Sequence, residues 1–171
     1  IGEWRFAESL FEEALQLDPF DTMATLTWLD NSRAHQEKQA NIKTAQRWRS
    51  QNPDSPAAHL ALVRESKIAG VDRAYESAVQ LAEGFFDTAM KNEPSAGTVG
   101  AYVQYMVGTD RVAEAEQVIE KFSQYRNTPP LLLAQADLHA VKGDMNKAEQ
   151  ILIQAAKMAP DHPAYALLLR P

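Results

Sequence analysis

The fold of this 171-residue chain is decided by two stretches, Ala115-Glu116-Gln117-Val118-Ile119 and Ala148-Glu149-Gln150-Ile151-Leu152. In both, Ala and Glu are followed, after one residue, by two large apolar side chains, and the two stretches start 33 positions apart. The same pattern occurs 33 positions earlier at 82–86, and again at 7–11. A period of this length is typical of helical repeats, in which each unit buries its apolar face against its neighbours.

Prolines end the repeat units. Pro19, Pro94 and Pro160 each follow the repeated Ala by twelve residues, and Pro53 follows Pro19 by 34. Proline stops a helix because it has no backbone N–H and disfavours helical geometry in the residue before it. Residues able to cap the next helix follow these prolines, namely Asp21 or Thr22, Asp54 or Ser55, Ser95, and Asp161. The pattern therefore predicts two helices between successive stops, with tight turns at Gln36, Gly70, Asp110 and Gly143.

The sequence predicts an all-α chain of about five antiparallel helix pairs, since no segment has the alternating β-branched pattern of a strand. The predicted helices are 3–17, 22–35, 38–51, 56–69, 72–91, 96–107, 111–124, 130–142, 145–158 and one starting near 163. The predicted units are 1–19 (partial), 20–53, 54–94, 95–127 and 128–160, with the start of a further helix in 161–171. The interval from Pro53 to Pro94 is seven residues longer than the one before it. Because seven residues are nearly two helical turns, we expect the second helix of that unit, 72–91, to be two turns longer than the others.

The second helix of each unit resembles that of the tetratricopeptide repeat, a helix–turn–helix unit of about 34 residues. The matching positions hold Ala7, Phe11, Ala14 and Pro19; Ala82, Phe86, Ala89 and Pro94; and Ala148, Leu152, Ala155 and Pro160. In the fourth unit Ala115 and Ile119 match, while Phe122 replaces the second small residue. The first helices match less closely, with the family's small residue present as Ala136 but replaced by Leu29, Val63 and Val103. The resemblance implies one right-handed α-solenoid over 1–171, and related helical-hairpin solenoids are the alternative.

Composition and motifs argue against several classes of function. The net charge of −6 argues against nucleic-acid binding as the main role, and no apolar run is long enough for a membrane span. The chain has no cysteine, and its four histidines (His35, His59, His139 and His162) lack the spacing of metal ligands. There is no nucleophile elbow and no P-loop, and we expect the Gly-rich stretch 97–100 to mark a close approach of two helices or a locally weak helix. The sequence therefore predicts no enzyme activity, cofactor or metal.

Members of the family bind an extended peptide or a partner's helix in a groove lined mainly by their first helices. The resemblance places ten residues in that groove: Met23, Leu26, Asp30, Arg33, Leu60, Arg64, Lys67, Gln104, Leu133 and Asp137. Val107 and Val141 map to the same face. Arg33, Arg64 and Lys67 suggest a basic stripe that suits an acidic peptide or carboxylate. The Lys, Asn and Arg set that grips C-terminal carboxylates in some members is missing, and the face is more apolar, so we expect an amphipathic helix or another solenoid as the ligand.

The chain begins at Ile1 and stops at Pro171 just after an apolar stretch has started, so we expect a fragment of a longer, bacterial protein. We interpret it as a non-catalytic protein–protein interaction scaffold. The alternative is an architectural or self-assembling spacer arm in a bacterial envelope, secretion or polysaccharide-export assembly, with homo-oligomers forming through exposed solenoid ends. A third hypothesis, an enzyme, requires a catalytic domain elsewhere in the parent protein. The partner's identity is open, and so is the compartment, with the bacterial periplasm or cytoplasm favoured.

Overall fold

A computed structural model describes residue 18 and residues 21–33 and 38–159 of the chain, without the side chains at 23, 31, 33, 38 and 39. The described residues are all-helical and contain no strand. They form α1 (Thr22–Arg33), α2 (Lys38–Gln51), α3 (Pro56–Ala69), α4 (Asp72–Ala89), α5 (Ala96–Gly108), α6 (Val112–Lys121), a 3₁₀ helix (Ser123–Tyr125), α7 (Pro129–Val141) and α8 (Met145–Met158). The chain divides into two compact units, Ile1–Thr88 and Ala89–Pro171.

Most predicted helix boundaries are confirmed. The predictions 38–51, 56–69 and 145–158 agree with α2, α3 and α8 at both ends. The prediction 111–124 instead divides into α6 and the 3₁₀ helix, because the backbone leaves helical geometry at Phe122. The predicted helix at 3–17 and the one starting near 163 lie outside the described residues, as do the turn residue Gln36 and the cap Asp161.

The predicted caps explain why the helices begin and end where they do. The backbone N–H of Ala24 donates to Asp21 Oδ1 at 2.8 Å, and the hydroxyl groups of Ser55 and Ser95 accept from the third residue beyond them. Each contact satisfies a backbone donor that the first helical turn cannot pair internally. At the turns within pairs, Gly70, Asp110 and Gly143 all have positive φ, as their predicted turn positions require.

The predicted helix 72–91 is correct at its start and extends two residues beyond the end of α4. α4 ends at Ala89 with 18 residues, against 14 in α2 and in α8, so it exceeds these second helices by four residues and not by seven. Two more of the additional residues lie in the connection 90–95, which has six residues where the connection 52–55 has four. Glu93 adopts positive φ there, which breaks the helical path before Pro94.

In the first unit, α1 and α2 both pack on α3 and also contact each other. The apolar centre of this packing contains Ala24, Trp28, Leu29 and Ala61, and Trp48 of α2 lies against it. The first helix of one predicted pair therefore contacts its own second helix and also the first helix of the next pair.

The second unit has the same three helix contacts and a further one between its last two helices. α5 packs on α6 and on α7, α7 packs on α8, and α6 also touches α7. The repeated alanines Ala115 and Ala148 are buried, as is Ala155, two helical turns after Ala148 on α8. Their small side chains lie on the faces that α6 and α8 turn inward, which explains why alanine recurs at this spacing.

Gly100 marks the closest approach of two helices in this unit. A Cβ atom added there would lie 2.7 Å from the carbonyl oxygen of Pro130 and 2.9 Å from its carbonyl carbon. These distances are well below the 3.5–4.0 Å of an optimal carbon contact. The expected close approach within 97–100 is thus confirmed at Gly100, where only a glycine lets the first turn of α7 reach α5.

Candidate functional site

Two of the predicted groove residues in the first unit meet across neighbouring helices. Arg64 of α3 donates to Asp30 Oδ1 of α1 at 2.8 Å, and the two residues are 34 positions apart. Both side chains are substantially exposed, so this ion pair lies on the surface where α1 and α3 adjoin. Exposed ion pairs contribute little to stability, typically below about 1 kcal/mol, so its main effect is on the surface charge.

Two predicted groove residues of the second unit meet in the same manner. Gln104 Nε2 of α5 donates to Asp137 Oδ2 of α7 at 2.7 Å, and these residues are 33 positions apart. Gln104 is buried, whereas Asp137 is exposed. In each unit a residue of one first helix therefore pairs with the residue about one repeat period later, on the next first helix.

The remaining predicted groove residues divide into surface and core. Leu26 is half-buried and Lys67 is exposed, which keeps them available on the outside of their helices. Leu60 and Leu133 are only 5% and 6% exposed, so the structure places them in the core and not on an open surface. Val107 is buried as well, whereas Val141 is 57% exposed. The side chains of Met23 and Arg33 lie outside the described part of the structure.

The ion pair changes the electrostatics of the predicted basic stripe. Arg64 is one of the three cations assigned to the stripe, and its charge is balanced by Asp30. The exposed Lys67 lies one turn further along α3, and exposed Asp137 and Val141 lie one turn apart on α7. The described surface of these first helices is therefore mixed in charge, with one large apolar side chain, instead of uniformly basic or apolar.

A buried polar network links the three helices of the first unit and was not predicted from the sequence. Ser32 of α1 donates to Asn41 Oδ1 of α2 at 2.8 Å, and Asn41 Nδ2 lies 3.4 Å from Glu65 Oε2 of α3. All three residues are at most 1% exposed. Buried polar groups require hydrogen-bond partners, so this network fixes the mutual register of α1, α2 and α3.

A signal for this network is present in the sequence. Asn41 precedes Ala45 and Trp48 by four and seven residues and so lies on the apolar stripe of α2. In the same way Glu65 follows Ala61 by four residues, and Ser32 follows Trp28 by four. A polar residue on an apolar stripe indicates a buried partner on a neighbouring helix.

His59 is a buried histidine at the start of α3. Its Nε2 donates to the backbone carbonyl of Pro53 at 2.8 Å, its Nδ1 is buried without a hydrogen-bond partner, and its ring stacks on Phe85 with centroids 4.4 Å apart. Burial lowers the pKa of His59 below its ordinary value of 6.5, the positive charge of Arg49 lowers it further, and the contacts with Pro53 and Asp54 oppose the shift. The stacked ring of His59 connects α3 to α4.

The described residues also bear on metal binding and on membranes. Within residues 21–33 and 38–159, no group of three or more His, Asp or Glu side chains is arranged to hold a metal ion. None of the described helices is long and apolar enough to cross a membrane.

No protein-family model matches the chain, and no curated protein shows significant similarity to it.

Proposed function

We propose that the chain is a segment of a tetratricopeptide-like α-solenoid that acts as a non-catalytic protein–protein interaction scaffold. In this proposal a peptide or helix of a partner protein binds along the first helices, α1 and α3 in one unit and α5 and α7 in the other. Asp30 and Lys67 supply contacts in the first unit, and Asp137 and Val141 supply contacts in the second.

The order of helix contacts supports the solenoid. In the first unit α1 packs on α2 and on α3, and in the second unit α5 packs on α6 and on α7, so each of these first helices contacts its own second helix and the next first helix. Stacked helical hairpins pack in this way because each repeat buries its apolar face on the next. The turns at Gly70 and Gly143 come at the middle of predicted pairs, which is consistent with the hairpin unit.

The main support for the proposed binding surface is that equivalent side chains on successive first helices pair with each other. Asp30 meets Arg64 and Gln104 meets Asp137, at spacings of 34 and 33 residues. Asp30, Arg64 and Asp137 are at least partly exposed, so the pair in each unit can contact a partner segment. Because these side chains are mixed in charge, we expect the partner to contribute both acidic and basic side chains.

Site-specific photo-crosslinking in the intact protein tests the proposal. A p-benzoylphenylalanine residue is introduced at Lys67 or Asp137, both exposed on first helices, and as matched controls at Asp87 of α4 or Gln154 of α8, both exposed on second helices. We expect the same partner to be crosslinked from the two first-helix positions and not from the controls. Crosslinks of equal yield from the second helices, or no crosslink from positions 67 and 137, would contradict the assignment.

A further inference from the structure

The first unit contains an open cavity of about 430 Å³ on the side of its second helices. Its walls come from α2, α3 and α4, and they include Arg49, Leu62, Arg73 and Leu81, with Val71 at the start of α4. The proposed groove is different, since it involves the first helices α1 and α3. The cavity has the volume of an ordinary ligand site, which is usually some 300–1,000 Å³.

The cavity exists because α4 is buried over only part of its length. Its buried residues are Ala78, Ala82 and Phe86, at intervals of four, and the first of them comes six residues after the helix begins. Before Ala78 the helix is exposed or half-buried, so its first turns leave a space beside α2 and α3. Phe86 and the stacked pair of Phe85 and His59 hold the other end of α4 in place.

The polar part of the cavity is cationic. Arg49 and Arg73 both line it, and no acidic side chain does so among the described lining residues. Neither arginine forms an ion pair within residues 21–33 and 38–159. The Nε–H of Arg49 is also buried without an acceptor. Two guanidinium groups that have no ion-pair partner among the described residues, on a chain of net charge −6, are a local feature that favours an anionic ligand.

The apolar part of the cavity lies beside these cations. Val71 and Leu81 are each 38% exposed, and both flank the cavity, which makes them two of the few large apolar side chains at the surface of the described chain. A carboxylate next to a large apolar side chain would match both features together. Since Arg73, Ser77 and Leu81 are exposed, the cavity is open to solvent, which suits side chains presented by another protein better than an enclosed small molecule.

We propose that this cavity is a second docking site, which receives a segment of a partner protein carrying an acidic side chain beside a large apolar one. The acidic side chain pairs with Arg49 and Arg73, and the apolar side chain packs against Leu62, Val71 and Leu81. Charge-assisted, bidentate hydrogen bonds to the arginines give the site its preference for carboxylates over neutral amides. The site is independent of the groove proposed for the first helices.

Titration of the 171-residue chain with short peptides, followed by its backbone amide resonances, tests this site. The probes are the acetylated, amidated tetrapeptide Leu-Glu-Leu-Glu, its neutral counterpart Leu-Gln-Leu-Gln, and Gly-Glu-Gly-Glu, which lacks the apolar side chains. We expect Leu-Glu-Leu-Glu to give saturable shifts at residues 49, 62 and 71–81, and each of the other two peptides to bind about tenfold more weakly, which corresponds to the loss of one charged hydrogen bond or of one apolar contact.

Variants of the arginines complete the test. We expect R49Q and R73Q each to weaken binding of Leu-Glu-Leu-Glu about tenfold, whereas R47Q, on the same α2 helix but outside the cavity, leaves it unchanged. Because Arg73 is exposed, R73Q preserves the fold and keeps the test decisive if R49Q fails to fold. Equal binding of the neutral peptide, full binding by R73Q, or shifts confined to the first helices would overturn the proposal. Sodium hexanoate binding as tightly as Leu-Glu-Leu-Glu would overturn the assignment to a protein segment.

Discussion

Replacing Gly100 by Ala tests the packing of the second unit directly. The added Cβ atom would lie 2.7 Å from the Pro130 carbonyl oxygen, 2.9 Å from its carbonyl carbon and 3.1 Å from its Cβ. Two of these three atoms belong to the backbone, so no change of side-chain rotamer relieves the contact. Pro130 also follows Pro129, and the proline rings restrict the backbone of this first turn of α7. The whole helix has to move away from α5.

The expected loss of stability is the difference between two opposing effects. Overpacking of a buried site typically costs about 1–3 kcal/mol, and a contact with rigid backbone places Gly100→Ala near the upper end. Alanine is more favourable than glycine within a helix by about 1 kcal/mol. We therefore expect G100A to reduce the free energy of unfolding by about 2 kcal/mol. With a urea dependence of about 2 kcal/mol per molar, the unfolding midpoint falls by about 1 M.

Urea titration followed by the circular dichroism of the helices measures this change, and two glycines provide matched controls. A Cβ atom at Gly97, in the same helix, would meet only Ser95 Oγ at an ordinary 3.7 Å, and one at Gly84 of α4 would meet nothing within 4 Å. We expect G97A to retain the stability of the parent chain or exceed it, and G84A to gain up to about 1 kcal/mol. If G100A unfolds at the same midpoint as G97A, the close approach of α5 and α7 is wrong.

Three further changes have expected outcomes that unfolding measurements can check. Replacing the buried Ala115 by Leu overpacks α6 and should lower the free energy of unfolding by about 1–3 kcal/mol, whereas Leu at the exposed Ala113 of the same helix should change it by less than about 0.5. Asn41→Ala removes both hydrogen bonds of a buried amide and should lower the free energy of unfolding by about 2–3 kcal/mol. Lys43→Ala, at an exposed position of the same helix, should have little effect, and equal losses of stability in the two variants would contradict the network. Because the pKa of His59 is lowered in the folded chain, this histidine is protonated first in the unfolded chain as the pH falls below about 6.5, and the free energy of unfolding declines there. His59→Gln should remove that part of the decline. A variant with the pH profile of the parent chain would refute this role of His59.

Most helix boundaries could be predicted because the groups that set them act within one turn. Ser55 caps α3 through its own hydroxyl, and Gly70 ends the same helix by adopting positive φ. The length of α4 could not be predicted in this way. Adding seven residues to a repeat leaves the apolar stripe in nearly the same direction whether they extend the helix or lengthen a loop. The spacing of the prolines therefore does not indicate how many of these residues belong to the helix and how many to the loop.

The sequence predicts which helices form the candidate site better than it predicts which of their side chains are exposed. Repeat spacing brings Asp30 to Arg64 because equivalent residues of adjacent helix pairs are neighbours in space. It does not indicate which side chains the neighbouring helices cover. α3 is contacted by both α1 and α2, so Leu60, predicted for the groove, becomes part of the core. A helix with several neighbours exposes only a narrow stripe, and the width of that stripe depends on packing that a 3.6-residue pattern leaves undetermined.

The close approach at Gly100 and the polar pair of the second unit involve the same two helices. Gly100 and Gln104 lie one turn apart on α5, and Pro130 and Asp137 lie two turns apart on α7, so the glycine contact and the hydrogen bond share one line between these helices.

In the first unit the residue one turn before Asp30 on α1 is the half-buried Leu26, whereas in the second unit the residue one turn before Gln104 on α5 is Gly100. A leucine side chain between two helices takes more room than a glycine does, so we expect α1 and α3 to lie farther apart than α5 and α7, which suits the longer arginine on α3. We therefore expect the residue at this position to influence which polar side chains can bridge the first helices of each unit.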